Sequence, residues 1–395
     1  MANKDIIELT GKYVMDTYRR FPVAFVKGKG ARLWDADGKE YLDFVAGLAV
    51  CNLGHSHPKV VKAIKEQAGK LVHTSNLFHI ETQSELAKML CENSFAGKAF
   101  FCNSGAEANE AAIKLARKYF SVKGSPRYHV VSLEKSFHGR TMAAMAATGQ
   151  KKIQEGFEPL IEKFSYVPFN DARAAAAAIT DKTAAIMLEP IQGEGGVNVP
   201  KESYLKELRS ICDEHGILLI FDEVQVGMGR TGTLFAYENY GVAPDIMTLA
   251  KGLAGGVAIG AMLATDKVAE AFKPGSHAST FGGNFLATAA AIAAVNEYKN
   301  PKLLNNCKRV GTYLMRKLKA LKKEFTFIKD IRGKGLIIGM ELTKPGADIV
   351  KKCMDKGVLI NCTCDTVLRF VPPLNVKRKD VDEMLTALVA AMKEA

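Results

Sequence analysis

Short apolar runs alternate with longer amphipathic stretches through the middle of the chain. KAFFCNSG reads as a strand and AEANEAAIKLARKYF as the helix that follows it. RYHVVSLE and TAAIMLEPI read as two more strands. The helical ESYLKELRSICDEHG then leads into the strand ILLIFDEV, and DIMTLAK and VAIGAMLAT complete the set. β-branched apolar runs separated by helices predict a mostly parallel sheet covered on both faces. In such sheets ligands sit at the carboxyl ends of the strands.

The texture changes after about residue 296. PKLLNNCKRVGTYLMRKLKALKKEF predicts a long basic helix, and KRKDVDEMLTALVAAMKEA a closing one. Between them, IKDIRGKGLIIGMEL and VLINCTCDTVLRFVPP predict strands. The expectation is an α/β chain with a large domain over 61–295 and a smaller α+β domain over 296–395. Residues 1–60 read as loop and strand, packed with the small domain. The alanine run Ala174 to Ala178 reads as a short surface helix, and there is no internal repeat.

Composition supports a folded globular chain: 395 residues, 48% hydrophobic and 24% charged, enough for a large core. The net charge of +12 is spread along the chain, often beside Glu and Asp. No run of like charges or basic, aromatic-studded patch points to nucleic acid. The positive field suits anionic small molecules. Eight cysteines form no Cys-x-x-Cys pair, so the expectation is thiols in a reducing compartment and no metal site. The N-terminus lacks a signal-peptide core. The longest apolar stretch, GLAGGVAIGAMLA, is too short to span a bilayer. A cytoplasmic protein is expected.

The chemistry gathers where apolar runs end. Ile217 to Phe221 stops abruptly at Asp222 and Glu223. A carboxylate at a buried strand end needs a cationic partner; a protonated pyridine ring would serve, and so would a helix N-terminus or a metal. Lys251 ends the next run, about thirty residues later, among small residues. A desolvated lysine has a lowered pKa and becomes a nucleophilic amine. After FFCN, Ser104-Gly105-Ala106 turns into a helix whose free N–H groups suit phosphate. In SFHGRT, Phe137 offers a flat face, and Arg140 suits a carboxylate. Glu189 precedes a glycine-rich loop, and Ser279 and Thr280 lie in another small-residue loop. Arg369 interrupts an apolar β-run, so it must be paired or face a ligand.

Taken together, NSGAEANEAAIK, SFHGRT, LEPIQGEGG, FDEVQVGMGRTG, LAKGLAGG, STFGGN and LINCTCDTVLRFVPPL resemble the class III (subgroup II) aminotransferases. These are pyridoxal 5'-phosphate (PLP) enzymes of fold type I, and the likeness covers nearly the whole length. The nearest resemblance within the family is to its acetylornithine branch. It implies transfer of the terminal amine of N-acetyl-L-ornithine to 2-oxoglutarate, giving N-acetyl-L-glutamate 5-semialdehyde and L-glutamate, in arginine biosynthesis.

The resemblance implies that Lys251 holds PLP as a Schiff base and shuttles the proton. It implies that Asp222, with Glu223 beside it, pairs with the pyridine nitrogen. Val224 and Phe137 would cover the two ring faces, and Gln225 would meet the ring hydroxyl. Gly105 and Ala106 would bind the phosphate, joined by Thr280 from a neighbouring subunit, which implies a homodimer with shared active sites. Arg140 and Ser279 would contact the amino-acid substrate, and Arg369 the α-carboxylate of glutamate. Glu189 resembles the switch residue that covers Arg369 while the other substrate is bound.

Two positions depart from the family pattern: Phe285 stands where a proline is usual, and Cys364 where an alanine is. Succinylornithine, N-succinyldiaminopimelate, ornithine and 4-aminobutyrate are the competing amines. Leu48, where ornithine enzymes often carry tyrosine, favours the acetylornithine branch. A binding protein with a silent lysine is the reading from another class. A nicotinamide dehydrogenase would need Gly-x-Gly-x-x-Gly after the first strand, which NSGAEANE does not supply.

Overall fold

The computed structural model describes residues 1–395. Fifteen strands form three sheets. The first three are β1 (Phe25–Lys29), β2 (Arg32–Asp35) and β3 (Glu40–Asp43). Next come β4 (Lys98–Cys102), β5 (His129–Leu133), β6 (Phe164–Val167), β7 (Thr183–Leu188), β8 (Leu218–Asp222), β9 (Ile246–Leu249) and β10 (Gly260–Ala264). The C-terminal strands are β11 (Ile328–Lys334), β12 (Ile337–Leu342), β13 (Val358–Leu359), β14 (Asn361–Thr363) and β15 (Val367–Phe370).

The central sheet has seven strands in the order β4-β10-β9-β8-β7-β5-β6. All pair in parallel except β10, which runs against both β9 and β4. β7, β8, β9 and β10 are buried along their whole lengths. That burial on both faces is why the runs read as unbroken apolar stretches.

The smaller domain joins the two ends of the chain. β13 pairs in parallel with β3, completing the sheet β1-β2-β3-β13. Arg32 holds Glu383 through two hydrogen bonds of 2.6 Å. The other sheet runs β11-β12-β15-β14 and is antiparallel throughout. A single cluster of 50 buried side chains runs from Leu42 through Leu249 to Met392. The two domains therefore share one apolar core at their junction.

Three local findings refine the expectations. The N-terminal segment opens with a helix, Asn3–Tyr13, where loop and strand were expected. None of its residues is buried, so it leaves no clear apolar stripe; Asn3 fastens it to Asp35 and Asp37. The alanine-rich helix spans Ala172–Ala177 and buries Ala175 completely, so one face of it belongs to the core. Phe285 takes the first position of the helix Phe285–Tyr298 without disturbing its start. The Asn284 side chain accepts the Ala287 N–H at 3.0 Å and caps it. No helix is long and apolar enough to cross a membrane, and all eight cysteines are free.

Candidate active site

A cavity of about 430 Å³ opens at the carboxyl ends of the parallel strands. Asp222, the last residue of β8, reaches it almost fully buried. Its Oδ2 accepts from His138 Nδ1 at 2.7 Å and from Asn109 Nδ2 at 2.8 Å. Its Oδ1 accepts the Val224 N–H at 3.0 Å. Asn109 is held in turn by Thr248, whose hydroxyl donates to it at 2.7 Å. This buried chain fixes one carboxylate at the cavity floor, with capacity left on Oδ1 for a cation.

Lys251 begins the turn that follows β9, with φ at 41°, a backbone region costly for a residue with a Cβ. Burial pushes its amine below the ordinary lysine range, while the nearby Glu194 pulls the other way. The result is an amine that becomes neutral more readily than a surface lysine.

The mouth of the helix Gly105–Val122 forms another wall, through Ser104, Gly105 and Ala106. The Ser104 hydroxyl caps the helix by accepting the Glu107 N–H at 3.2 Å. A side chain at Gly105 would meet Val224 Cγ1 at 2.7 Å, and one at Gly139 would meet Ala106 Cβ at 2.8 Å. Both glycines let neighbouring segments close on the helix end, leaving its first N–H groups for an anion. Phe137 and Val224 both line the cavity. Arg140 lies exposed at its rim, with its guanidinium 5.8 Å from the Phe137 ring.

Behind this floor Arg369 is almost completely buried on β15. Its Nη1 donates to Glu194 Oε1 at 2.7 Å and to Gln225 Oε1 at 3.1 Å, and its Nε to Asn361 at 3.2 Å. Its Nη2 is buried without a partner. Arg369 leads the charges that hold Glu194 down to about 2 against the opposing effect of burial.

Glu189 does not pair with Arg369; the carboxylate on that guanidinium belongs to Glu194. Glu189 ends its strand run and accepts the backbone N–H groups of Phe137 and Gly193, both at 3.1 Å. Burial pushes it up to about 7. Glu194 lies five residues further along, on the glycine-rich loop, where its side chain can cross to β15. Glu223 is also displaced from the expected site. It is fully buried and accepts the N–H groups of Ala236 and Tyr237 at 2.5 and 2.7 Å. Adjacent residues of an extended chain face opposite ways, so only Asp222 meets the cavity.

Ser279 and Thr280 do not line the cavity of a single chain. Ser279 Oγ accepts from Asn103 Nδ2 at 3.2 Å and from the Gly282 N–H at 3.0 Å, whereas Thr280 is exposed. Glu194, Asn109 and Val50 were not singled out from the sequence. Val50 follows a left-handed turn in which Ala46, Gly47, Leu48 and Ala49 all have positive φ. Asn109 had a visible signal: it is the one amide among the alanines of its helix face.

The donor set fits a flat, phosphate-bearing aldehyde. It offers a nucleophilic amine, a carboxylate for a ring cation, an aromatic wall and a helix mouth. The comparisons agree. The family described as class-III aminotransferases matches residues 13–392. An acetylornithine aminotransferase of Methanocaldococcus jannaschii is 54% identical over 391 residues, 98% of each chain. The solved N-acetylornithine aminotransferase of Stenotrophomonas maltophilia is 41% identical with a TM-score of 0.85, covering 98% of both chains. An ornithine aminotransferase of Toxoplasma gondii, with PLP partially occupying its active site, is 36% identical with a TM-score of 0.93. It covers 98% of this chain and 94% of its own. The chain is therefore a PLP-dependent member of the class-III aminotransferase family.

Proposed function

We propose that the protein transfers the terminal amine of N-acetyl-L-ornithine to 2-oxoglutarate, releasing N-acetyl-L-glutamate 5-semialdehyde and L-glutamate, as a step of arginine biosynthesis. The observation that carries this reading is the buried Arg369 covered by Glu194 beside the lysine-bearing cavity. When bound, PLP supplies an aldehyde that receives the amine and a ring that draws electrons from the reacting carbon.

The chain's own groups do the rest. Lys251 Nζ anchors the cofactor and carries the proton to and from the substrate carbon. Asp222, oriented by His138 and Asn109, would pair with the ring nitrogen and keep it protonated. Gly105 and Ala106 would offer N–H groups to the phosphate. Phe137 and Val224 would flank the ring, and Gln225 would meet its hydroxyl. Arg140 receives the amino-acid substrate at the rim, and Ser279, which does not line the cavity of its own chain, would join it only across a subunit interface.

Arg369 explains how one site takes two kinds of amine. Its orphaned Nη2 leaves a buried donor for an α-carboxylate. With Glu194 swung away, Arg369 would bind glutamate as a forked pair and present the α-amine. With Glu194 in place, that attraction is cancelled and a terminal amine reaches the cavity.

The same reading makes the active unit a homodimer in the cytoplasm. Leu77, Phe78 and Phe281 are 87%, 67% and 59% exposed, apolar surface that a second copy would cover. The segments are tied together, Asn76 donating to the Ser279 and Gly282 carbonyls. Thr280, on that face, would reach the neighbouring phosphate. The free cysteines suit a reducing compartment. Residues 61–295 form the cofactor domain and 296–395 the small domain, with 1–60 packed on it.

The test is a half-reaction. Holoenzyme is mixed separately with N-acetylornithine, N-succinylornithine, ornithine or 4-aminobutyrate, and the visible band of the bound cofactor is followed. Fastest loss with N-acetylornithine is expected. Faster loss with another amine replaces the substrate and keeps the family chemistry.

A further inference from the structure

The loop that carries Glu194 is held residue by residue. The Gly193 N–H donates to Glu189 Oε1 at 3.1 Å. The Glu194 carbonyl accepts from Thr363 Oγ1 and, at 3.3 Å, from Cys364 Sγ. Asn198 Nδ2 donates to the Gly195 carbonyl at 3.0 Å. Arg332 donates to the carbonyls of Gly196 and Val197 at 2.6 and 3.0 Å. With its main chain so fully engaged, the loop has little freedom left except in the Glu194 side chain.

Three of these grips come from one sheet. Arg332 is on β11, Thr363 ends β14, and Cys364 opens the turn between β14 and β15. Arg369 is on β15, paired with β14 through Asn361, Cys362 and Thr363. The sheet therefore holds both ends of the Glu194–Arg369 pair: the guanidinium directly, and the glutamate through its carbonyl. Cys364 and Asp365 both take left-handed φ, 50° and 58°. That strained turn brings the hydroxyl and the thiol onto one carbonyl oxygen.

We propose that Thr363, assisted by Cys364, is a positioning residue for the Glu194–Arg369 gate. The two side chains fix the pivot from which the Glu194 carboxylate reaches Arg369. They thereby set the balance between the covered state, which admits a terminal amine, and the open state, which admits an α-carboxylate. Thr363 is the stronger of the two, because a thiol is a weak donor. The proposal rests on the two-substrate reading above.

The experiment uses holoenzyme carrying Thr363→Val, Thr363→Ser or Cys364→Ala. Single-turnover half-reactions with L-glutamate and with N-acetylornithine are compared, and melting temperatures are recorded beside them. Thr363→Val loosens the pivot, so Arg369 is covered less of the time. The ratio of kcat/KM for N-acetylornithine over glutamate should fall about fivefold, the worth of one ordinary hydrogen bond. The change should enter through a lower KM for glutamate at little-changed kcat. Thr363→Ser keeps the hydroxyl and should restore the wild-type ratio, and Cys364→Ala should shift it by about twofold or less. A ratio unmoved in Thr363→Val, or equal loss in both half-reactions with a lowered melting temperature, would overturn the proposal and leave the transamination reading standing. A wild-type protein that converts neither amine would overturn both.

Discussion

The cavity floor and the gate behind it are built in opposite ways. The floor is local. Asp222 and Lys251 sit at or just past the ends of adjacent strands β8 and β9, and the sheet sets their spacing. The gate is assembled from distant parts. Arg369 and Glu194 are 175 residues apart and meet only after the small domain has closed on the glycine-rich loop. The floor carries the chemistry that every substrate shares. On the proposed reading the gate carries the choice between substrates; it would then have to be breakable, and a single charge pair whose glutamate side chain stays partly exposed meets that need.

Substitutions should separate the two regions. Lys251→Ala should lower turnover with every amine by roughly 10³-fold or more, since proton transfer by a positioned side chain is worth about 10² to 10⁴. Steady-state rates check this, and residual activity within tenfold of wild type would remove Lys251 from the floor. Arg369→Ala should act on one substrate class only. Its kcat/KM for glutamate should fall about 10²-fold, the low end of what losing one partner of a buried pair costs. The value for N-acetylornithine should move by less than about tenfold, and equal losses would contradict a gate.

Glu189→Gln should change stability but not selectivity. The folded carboxyl is raised to about 7, so the folded chain binds a proton between the unfolded carboxylate range and pH 7. Stability contributed by that proton is present at low pH and lost as pH rises through about 7. Glutamine cannot ionise, and its amide oxygen can accept only one of the two N–H groups that Glu189 now holds. The variant's stability relative to wild type should therefore rise between pH 5 and pH 8 by on the order of 2 kcal/mol, read from melting curves. Glu194→Gln, the smallest effect in the series, should shift preference toward glutamate by about tenfold, one charge-assisted hydrogen bond. If Glu189→Gln gave that shift instead, the gate would be assigned to the wrong glutamate.

Legibility followed the same division. Asp222 and Lys251 stood out because an unbroken apolar run that ends in a charge has few physical explanations. The helix mouth at Gly105 was marked by its small residues. The glutamate facing Arg369 was not legible, because Glu189 and Glu194 share one motif and nothing local says which carboxylate crosses to another domain. Glu223 adjoins Asp222, and only the direction of the chain at the end of β8 turns one inward and the other away. The reversed direction of β10 was hidden for a related reason: a strand buried on both faces has the same composition whichever way it runs. Asn109 was missed because its value lies in a partner 113 residues away.

The pairing of β13 with β3 has a consequence during synthesis. Arg32 must wait for Glu383, which leaves the ribosome 351 residues later. At about 5–20 residues per second, that delay is roughly 20 to 70 s. For most of that interval the meander β1-β2-β3 stands with its β3 edge unpaired and its buried residues, Tyr41 and Leu42 on opposite faces, uncovered. The nascent chain thus shows these apolar residues early and covers them late, so its yield in a cell depends on what shields the first sixty residues until β13 arrives.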